Sequence, residues 1–143
     1  MKILELLTKR RLLGNFGERA ARRYLKKRGY KILKTNFVGS GYEIDLIAKK
    51  KNVLAFIEVK TRTIGNESPK EPRPASSVTP DKQRKIIEAA WEYLSLNSTK
   101  DLRKRFDIIE VLVSEKNGRK KAAALKHLEG AFNMNTAFTP QAR

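Results

Sequence analysis

Gly41-Tyr42-Glu43-Ile44-Asp45-Leu46-Ile47-Ala48, a basic turn at Lys49-Lys50-Lys51-Asn52, and Val53-Leu54-Ala55-Phe56-Ile57-Glu58-Val59-Lys60 decide how this chain folds. Both runs are strand-like and apolar, and both carry carboxylates that packing does not require. Alternate side chains of a strand share a face, so Glu58 projects with Lys60 and Glu43 with Asp45. A hairpin through the basic turn sets the two faces side by side. Carboxylates crowded in this way are tolerated when a hard divalent cation takes oxygen ligands from them, and a neighbouring lysine then meets a phosphate. The pair of strands therefore reads as a metal-dependent site for phosphodiesters.

Outward from this pair, Gly14-Asn15 precedes a helical period from Phe16 to Arg28, with Gly29 as its stop. Phe16, Ala20, Ala21, Tyr24 and Leu25 form its apolar stripe, and Glu18 sits at the Leu25 edge. Glu18 reads either as a first-turn carboxylate paired with Arg22 or as a site residue. Tyr30 to Leu33, reaching towards Phe37-Val38, predicts a first strand. Val53 to Val59 is apolar on both faces until Glu58 and Lys60, as in a buried strand whose end opens into a site.

Residues 61–79 are rich in proline, serine, glycine and asparagine, and are expected to form a mobile loop over the site. Thr79-Pro80-Asp81 is a helix start, and the helix runs to about Asn97. Phe106 to Val113 predicts a fourth strand, and Asn117-Gly118 turns it into a fifth over Ala122 to Leu128. The order is α-β-β-β-α-β-β, an α+β mixed sheet flanked by helices. One domain over 14–132 is expected, with an N-terminal arm over 1–13 and a disordered tail over 133–143.

Composition limits the partners. The 143 residues carry 32 Lys and Arg against 15 Asp and Glu, a formal charge of +17, which suits a polyanion, DNA or RNA, more than solubility requires. A basic ribosome-associated protein is the bland alternative to that reading. There is no cysteine and a single histidine, His127, so disulfides, thiolate sites and histidine-rich zinc sites are excluded. No apolar run reaches the roughly 20 residues of a membrane-spanning helix. A soluble, cytoplasmic protein without membrane contact is expected.

The ordered series Gly14-Asn15-Phe16-Gly17-Glu18-Arg19-Ala20-Ala21, Gly29-Tyr30-Lys31-Ile32-Leu33, Asn36-Phe37, Glu43-Ile44-Asp45, Phe56-Ile57-Glu58-Val59-Lys60-Thr61-Arg62, Lys82-Gln83-Arg84-Lys85 and Arg105-Phe106-Asp107 resembles the YraN-like family of predicted endonucleases. That family is part of the PD-(D/E)xK superfamily, with its restriction-endonuclease-like, Holliday-junction-resolvase-like fold and α-β-β-β-α-β core. Its proline-aspartate pair is absent here, Ile44 preceding Asp45, and Tyr42 stands where the family often has glycine.

The resemblance implies that Asp45 and Glu58 bind Mg²⁺, for which Mn²⁺ can substitute, and that Lys60 orients the attacking water and stabilises the developing charge. It adds Glu18 as a further acidic catalytic residue. It also places Gln83 near the site, and Arg62, by strand parity, as a phosphate clamp. Lys49, Lys50 and Lys51 are expected to contact phosphates without reading sequence. The expectation is a structure-selective endonuclease acting on branched or single-stranded DNA, with a homodimer needed for two-fold resolvase action. The rival is a non-catalytic nucleic-acid-binding module of the same fold.

Overall fold

The computed structural model describes residues 2–64 and 78–134. Helix α1 (Ile3–Lys27) leads into strands β1 (Lys31–Gly39), β2 (Tyr42–Lys50) and β3 (Val53–Thr63). Helix α2 (Pro80–Leu96) and strands β4 (Arg103–Lys116) and β5 (Arg119–Phe132) follow. The described strands form one sheet in the order β1-β2-β3-β4-β5. All neighbours are antiparallel except β3 and β4, which run parallel across the connection that contains α2. This is the α-β-β-β-α-β core of the restriction-endonuclease-like fold, with β5 added at the edge. Among the described residues, no helix is long and apolar enough to cross a membrane.

Local chemistry sets most element ends. The α1 chain stops at Gly29, whose φ of +90° is open to glycine. The Tyr30 N–H there returns to the Leu25 carbonyl at 3.0 Å and the Gly29 N–H to that of Lys26 at 3.1 Å, the double closure of a Schellman motif. Helix α2 starts as expected: the Thr79 side chain accepts from the Lys82 N–H at 3.2 Å, and Pro80 opens the first turn.

The start of α1 differs from the expectation. Gly14 and Asn15 lie inside the helix, which begins at Ile3, so Asn15 is not its cap and residues 3–13 are helical. Leucine, lysine and arginine dominate those residues, and their helix propensity carries the helix through the glycine. Strand β3 extends through Thr63, and β4 and β5 outrun their predicted limits at both ends. The loop over 61–79 therefore begins in a strand; its centre, at 65–77, and the tail from 135 onward lie outside the described residues.

The sheet separates two apolar clusters. Under α2 lie Ile44, Ile47, Phe56, Ile86, Ile87 and Phe106, among others, with Phe106 stacked between Phe56 and Phe132 at ring distances of 5.3 and 5.1 Å. Under α1, Ala21 and Leu25 meet Leu46, Ala55, Ile57, Ile109 and Val111. Helix α1 packs tightly on β3 at Gly17. A Cβ there would collide with the Thr61 hydroxyl of β3 and stand 2.9 Å from the Thr61 Cβ, which no side-chain rotation relieves. Gly17→Ala should therefore lift α1 from β3, destabilising the fold by about 1–3 kcal/mol and displacing Glu18 with it. Urea melting checks this; a stability equal to wild type would show that α1 can shift freely.

Candidate metal centre

Strands β2 and β3 pair from Lys50↔Val53 to Leu46↔Ile57 and then part, although β2 begins at Tyr42 and β3 continues to Thr63 beside β4. Asp45 stands in the fork. Its Oδ2 accepts the Val59 N–H at 2.7 Å, so a side chain replaces the backbone ladder where the strands separate.

Across β2 from Asp45, the β1 residue Asn36 adopts a left-handed φ of +51°, in the gap between the pairs Thr35↔Leu46 and Phe37↔Ile44. Regular alternation fails at this point. Ile44 packs under α2, while Leu46 and Ala48 pack under α1. Asparagine tolerates this backbone better than most residues. Its side chain also reaches into the site, donating to Glu43 Oε1 at 2.6 Å and to both Glu18 oxygens at 3.4 Å.

Three elements thus deliver carboxylates to one place. Oxygens of Glu18 from α1 and of Glu43 and Asp45 from β2 all lie within 4.8 Å of one another. Glu58 joins them electrostatically from β3, and its Oε1 stands 3.4 Å from the Lys60 ammonium. Burial, then the charge of Glu58, pushes the Asp45 carboxyl up to about 8, with Glu18 and Glu43 adding to the effect and the Val59 N–H opposing it. Glu58 is also raised by burial, against the pull of Lys60 and Lys82. Glu18 is raised by burial and by Glu43, while Asn36 and Arg22 counter it. The Tyr42 hydroxyl, partly buried beside the same charges, is pushed up to about 12 by burial, Glu58 and Asp45. Tyr42 therefore flanks the acidic cluster while its ring packs against the apolar cluster under α2.

This donor set fits a hard divalent cation. Several carboxylate oxygens from separate elements converge, and the Asn36 amide holds two of the carboxylates in place, whereas like charges this close repel without a counterion. Glu18, Glu43 and Asp45 are the residues that would hold it, whereas Glu58, expected as the second ligand beside Asp45, lies outside this group and pairs with Lys60.

The other expected residues fall at varied distances. Arg62 is half-buried on β3 next to Leu112 of β4, two residues beyond Lys60 on the same face by parity. Gln83 is engaged at the start of α2, donating to the Val78 carbonyl at 3.0 Å. Lys49 and Lys50 end β2, about 13–17 Å along the strand from Asp45, and Lys51 lies in the turn that follows. The Lys50 ammonium rests over the Tyr30 ring at 5.3 Å. Any phosphate contact from this turn is therefore remote from the acidic cluster. Asn36, Glu43 and Lys82 are the additions that the structure makes to the expected site. Glu43 was visible in the sequence as the partner of Asp45 at i−2, but Asn36 gains its role only from hydrogen bonds to other elements and Lys82 only from its charge acting on Glu58.

Comparison with known proteins places these residues in a family. The chain is 40% identical over 121 residues to a UPF0102 protein of Chlorobium phaeobacteroides, covering 84% of this chain and 93% of the relative. It is 43% identical over 132 residues to a UPF0102 protein of Desulfosudis oleivorans, covering 92% and 98%. It is 44% identical over 105 residues to a UPF0102 protein of Caldanaerobacter subterraneus, covering 73% and 83%. A family model described as uncharacterised protein family UPF0102 matches residues 17–111, which hold Glu18, Asn36, Glu43, Asp45, Glu58 and Lys60, and the chain belongs to this UPF0102, YraN-like family.

Proposed function

We propose that this protein is a divalent-metal-dependent endonuclease that hydrolyses phosphodiester bonds in DNA, selecting its substrate by structure rather than by base sequence. The observation that carries this reading is the convergence of Glu18, Glu43 and Asp45 at the fork of β2 and β3, with Glu58 and Lys60 beside them. A structural ion-pair network would match carboxylates with cations, and here the acids outnumber the nearby lysines.

Mg²⁺, or Mn²⁺ in its place, supplies Lewis acidity towards a phosphate oxygen and lowers the pKa of a bound water. The chain's own residues do the remainder. Glu18, Glu43 and Asp45 would hold the cation, and Asn36 fixes the first two of these carboxylates. Glu58 keeps the Lys60 ammonium at the site, where it offsets charge that accumulates on the phosphate during attack. The +17 charge supplies phosphate contacts that are indifferent to sequence, so affinity should fall steeply between about 50 and 200 mM salt.

Labelled flap, junction and single-stranded DNA incubated with the protein test the reading. Cleavage should require Mg²⁺ or Mn²⁺, stop with EDTA, and be lost in Lys60→Ala while binding persists. Residual nicking that is equal in wild type and Lys60→Ala, with and without EDTA, would leave a non-catalytic nucleic-acid-binding module as the function.

A further inference from the structure

Gly14 is a poor helix former in the interior of α1, yet neither backbone strain nor crowding accounts for it. A Cβ built there meets nothing within 4 Å. The open space is a cavity of about 360 Å³ whose wall includes Arg10, Leu13, Gly14, Glu18, Val59 and Thr61. It therefore connects the acidic cluster, through Glu18, with the N-terminal half of α1, which extends beyond the apolar contacts that begin near Leu13. Arg10 and Leu13 also line an adjoining cavity of about 260 Å³, bounded on the far side by Thr63, Glu115 and Lys120 at the end of the β4–β5 hairpin. Together the two form a groove between α1 and the strand ends, with Lys9, Arg10 and Lys120 beside Glu115 in the second cavity and Glu18 at the end of the first.

We propose that this groove seats the nucleic-acid strand next to the scissile phosphate, Arg10 binding a phosphate, Leu13 and Val59 forming an apolar floor for sugar and base, and Gly14 leaving the room. The direction of the groove, towards Glu18, rests on the nuclease reading. Its chemistry does not: a basic rim over an apolar floor, opening from a site that collects oxygen ligands, matches a phosphodiester chain. The first cavity alone falls within the roughly 300–1,000 Å³ of ligand-binding pockets. A strand laid there would pass along α1 and leave past Lys120 at the start of β5.

Gly14→Leu separates this use from a structural one, because it fills the cavity while improving helix propensity. Binding of a fluorescein-labelled flap DNA should be measured by anisotropy in an Asp45→Asn background, and cleavage in the otherwise wild-type protein. Gly14→Leu should melt at or above the parent's temperature and bind about tenfold more weakly, and Arg10→Ala should bind more weakly with a salt slope shallower by about 0.9. Should Gly14→Leu fail to fold, Arg10→Ala and Arg10→Glu decide the matter through the same slope. A folded Gly14→Leu with parental affinity, or an unchanged slope in Arg10→Ala, overturns the proposal. A parent that cuts DNA while these variants bind normally refutes the groove alone. A parent that never cuts, with binding lost in the variants, refutes the nuclease reading alone, and a parent that binds no nucleic acid refutes the groove outright.

Discussion

Asp45→Asn is expected to lower metal-dependent cleavage by at least roughly 10²–10³-fold and, in the absence of divalent cations, to raise the melting temperature. Both effects come from the position of Asp45 in the fork between β2 and β3. Burial and the surrounding carboxylates hold its carboxyl at about 8, far above the ordinary aspartate value. A group whose folded pKa is raised in this way costs nothing below the unfolded value near 4, and its cost grows as pH rises from there towards the folded pKa. At neutral pH the wild-type protein bears most of that cost, and asparagine removes it.

The amide oxygen that Asp45→Asn introduces can still accept the Val59 N–H, so the fork need not collapse in the variant. The gain should be about 1–3 kcal/mol, well below the full conversion of the shift, because relaxation and water entry soften such penalties. Adding Mg²⁺ or Mn²⁺ should reverse the ranking: cation binding stabilises the native wild type by mass action and does much less for Asp45→Asn. Thermal melts of the two proteins with EDTA and across a divalent titration check both halves. If the cation raises the two melting temperatures equally, Asp45 is not a ligand, whatever the cleavage assay shows.

The sequence makes some of this architecture plain and hides the rest for identifiable reasons. Gly29 as the stop of α1, Thr79-Pro80 as the start of α2 and Asn117-Gly118 as the β4–β5 turn are local signals, and each holds because the deciding contacts lie within a few residues. The start of α1 is misread because Gly14-Asn15 resembles a cap, while the propensity of the preceding residues carries the helix through it. The face assignments of β2 assume unbroken alternation. Asn36, at positive φ on the neighbouring strand, accompanies the break that sends Ile44 and Leu46 to opposite sides of the sheet. Asp45, Glu58 and Lys60 were legible because charge in an apolar strand is conspicuous. Asn36 and Lys82 were not, since an exposed asparagine and a lysine on a helix gain meaning only from what another element brings to them.

Arg105-Phe106-Asp107 belongs to the resemblance and His127 is the chain's single histidine, yet periodicity assigns them no role, and the structure joins them in a buried polar network. Asp107 is 1% exposed on β4, where β5 bulges between the pairs Phe106↔Phe132 and Ile108↔Leu128. Its carboxylate accepts two bonds from the Arg105 guanidinium, both at 2.8 Å, and the Gly130 N–H of the bulge at 3.0 Å. His127 Nε2 lies 2.8 Å from the same group, and the Tyr24 hydroxyl stands 3.3 Å from Nδ1, which fits a ring that donates to Asp107 and accepts from Tyr24. Arg105 also donates to the Tyr30 hydroxyl, so the network ties α1 and its C-terminal turn to β4 and β5.

Asp107→Asn should therefore destabilise the protein by about 3–5 kcal/mol, since it leaves the guanidinium with only the exposed Glu129 at 3.7 Å as counter-charge and turns an amide N–H₂ towards groups that donate. For a chain of this length that corresponds to a fall in melting temperature of about 10–15 °C. The pH dependence follows from the direction of the shift. Burial alone would raise the Asp107 pKa, but the hydrogen bonds from His127, Arg105 and Gly130 outweigh it and hold the carboxyl below its ordinary value. The stabilisation is thus present above the unfolded pKa near 4 and is lost as pH falls through the depressed folded value. Urea melts of wild type should weaken across that acidic window, whereas the loss attributable to this residue should vanish in Asp107→Asn. Because Asp107 bonds to Arg105, His127 and Gly130 and to none of Glu18, Glu43 and Asp45, the folded fraction of Asp107→Asn at low temperature should keep metal-dependent cleavage. A variant that melts with wild type would show that the polar network merely occupies space, and one that is stable but inactive would move Asp107 into the site.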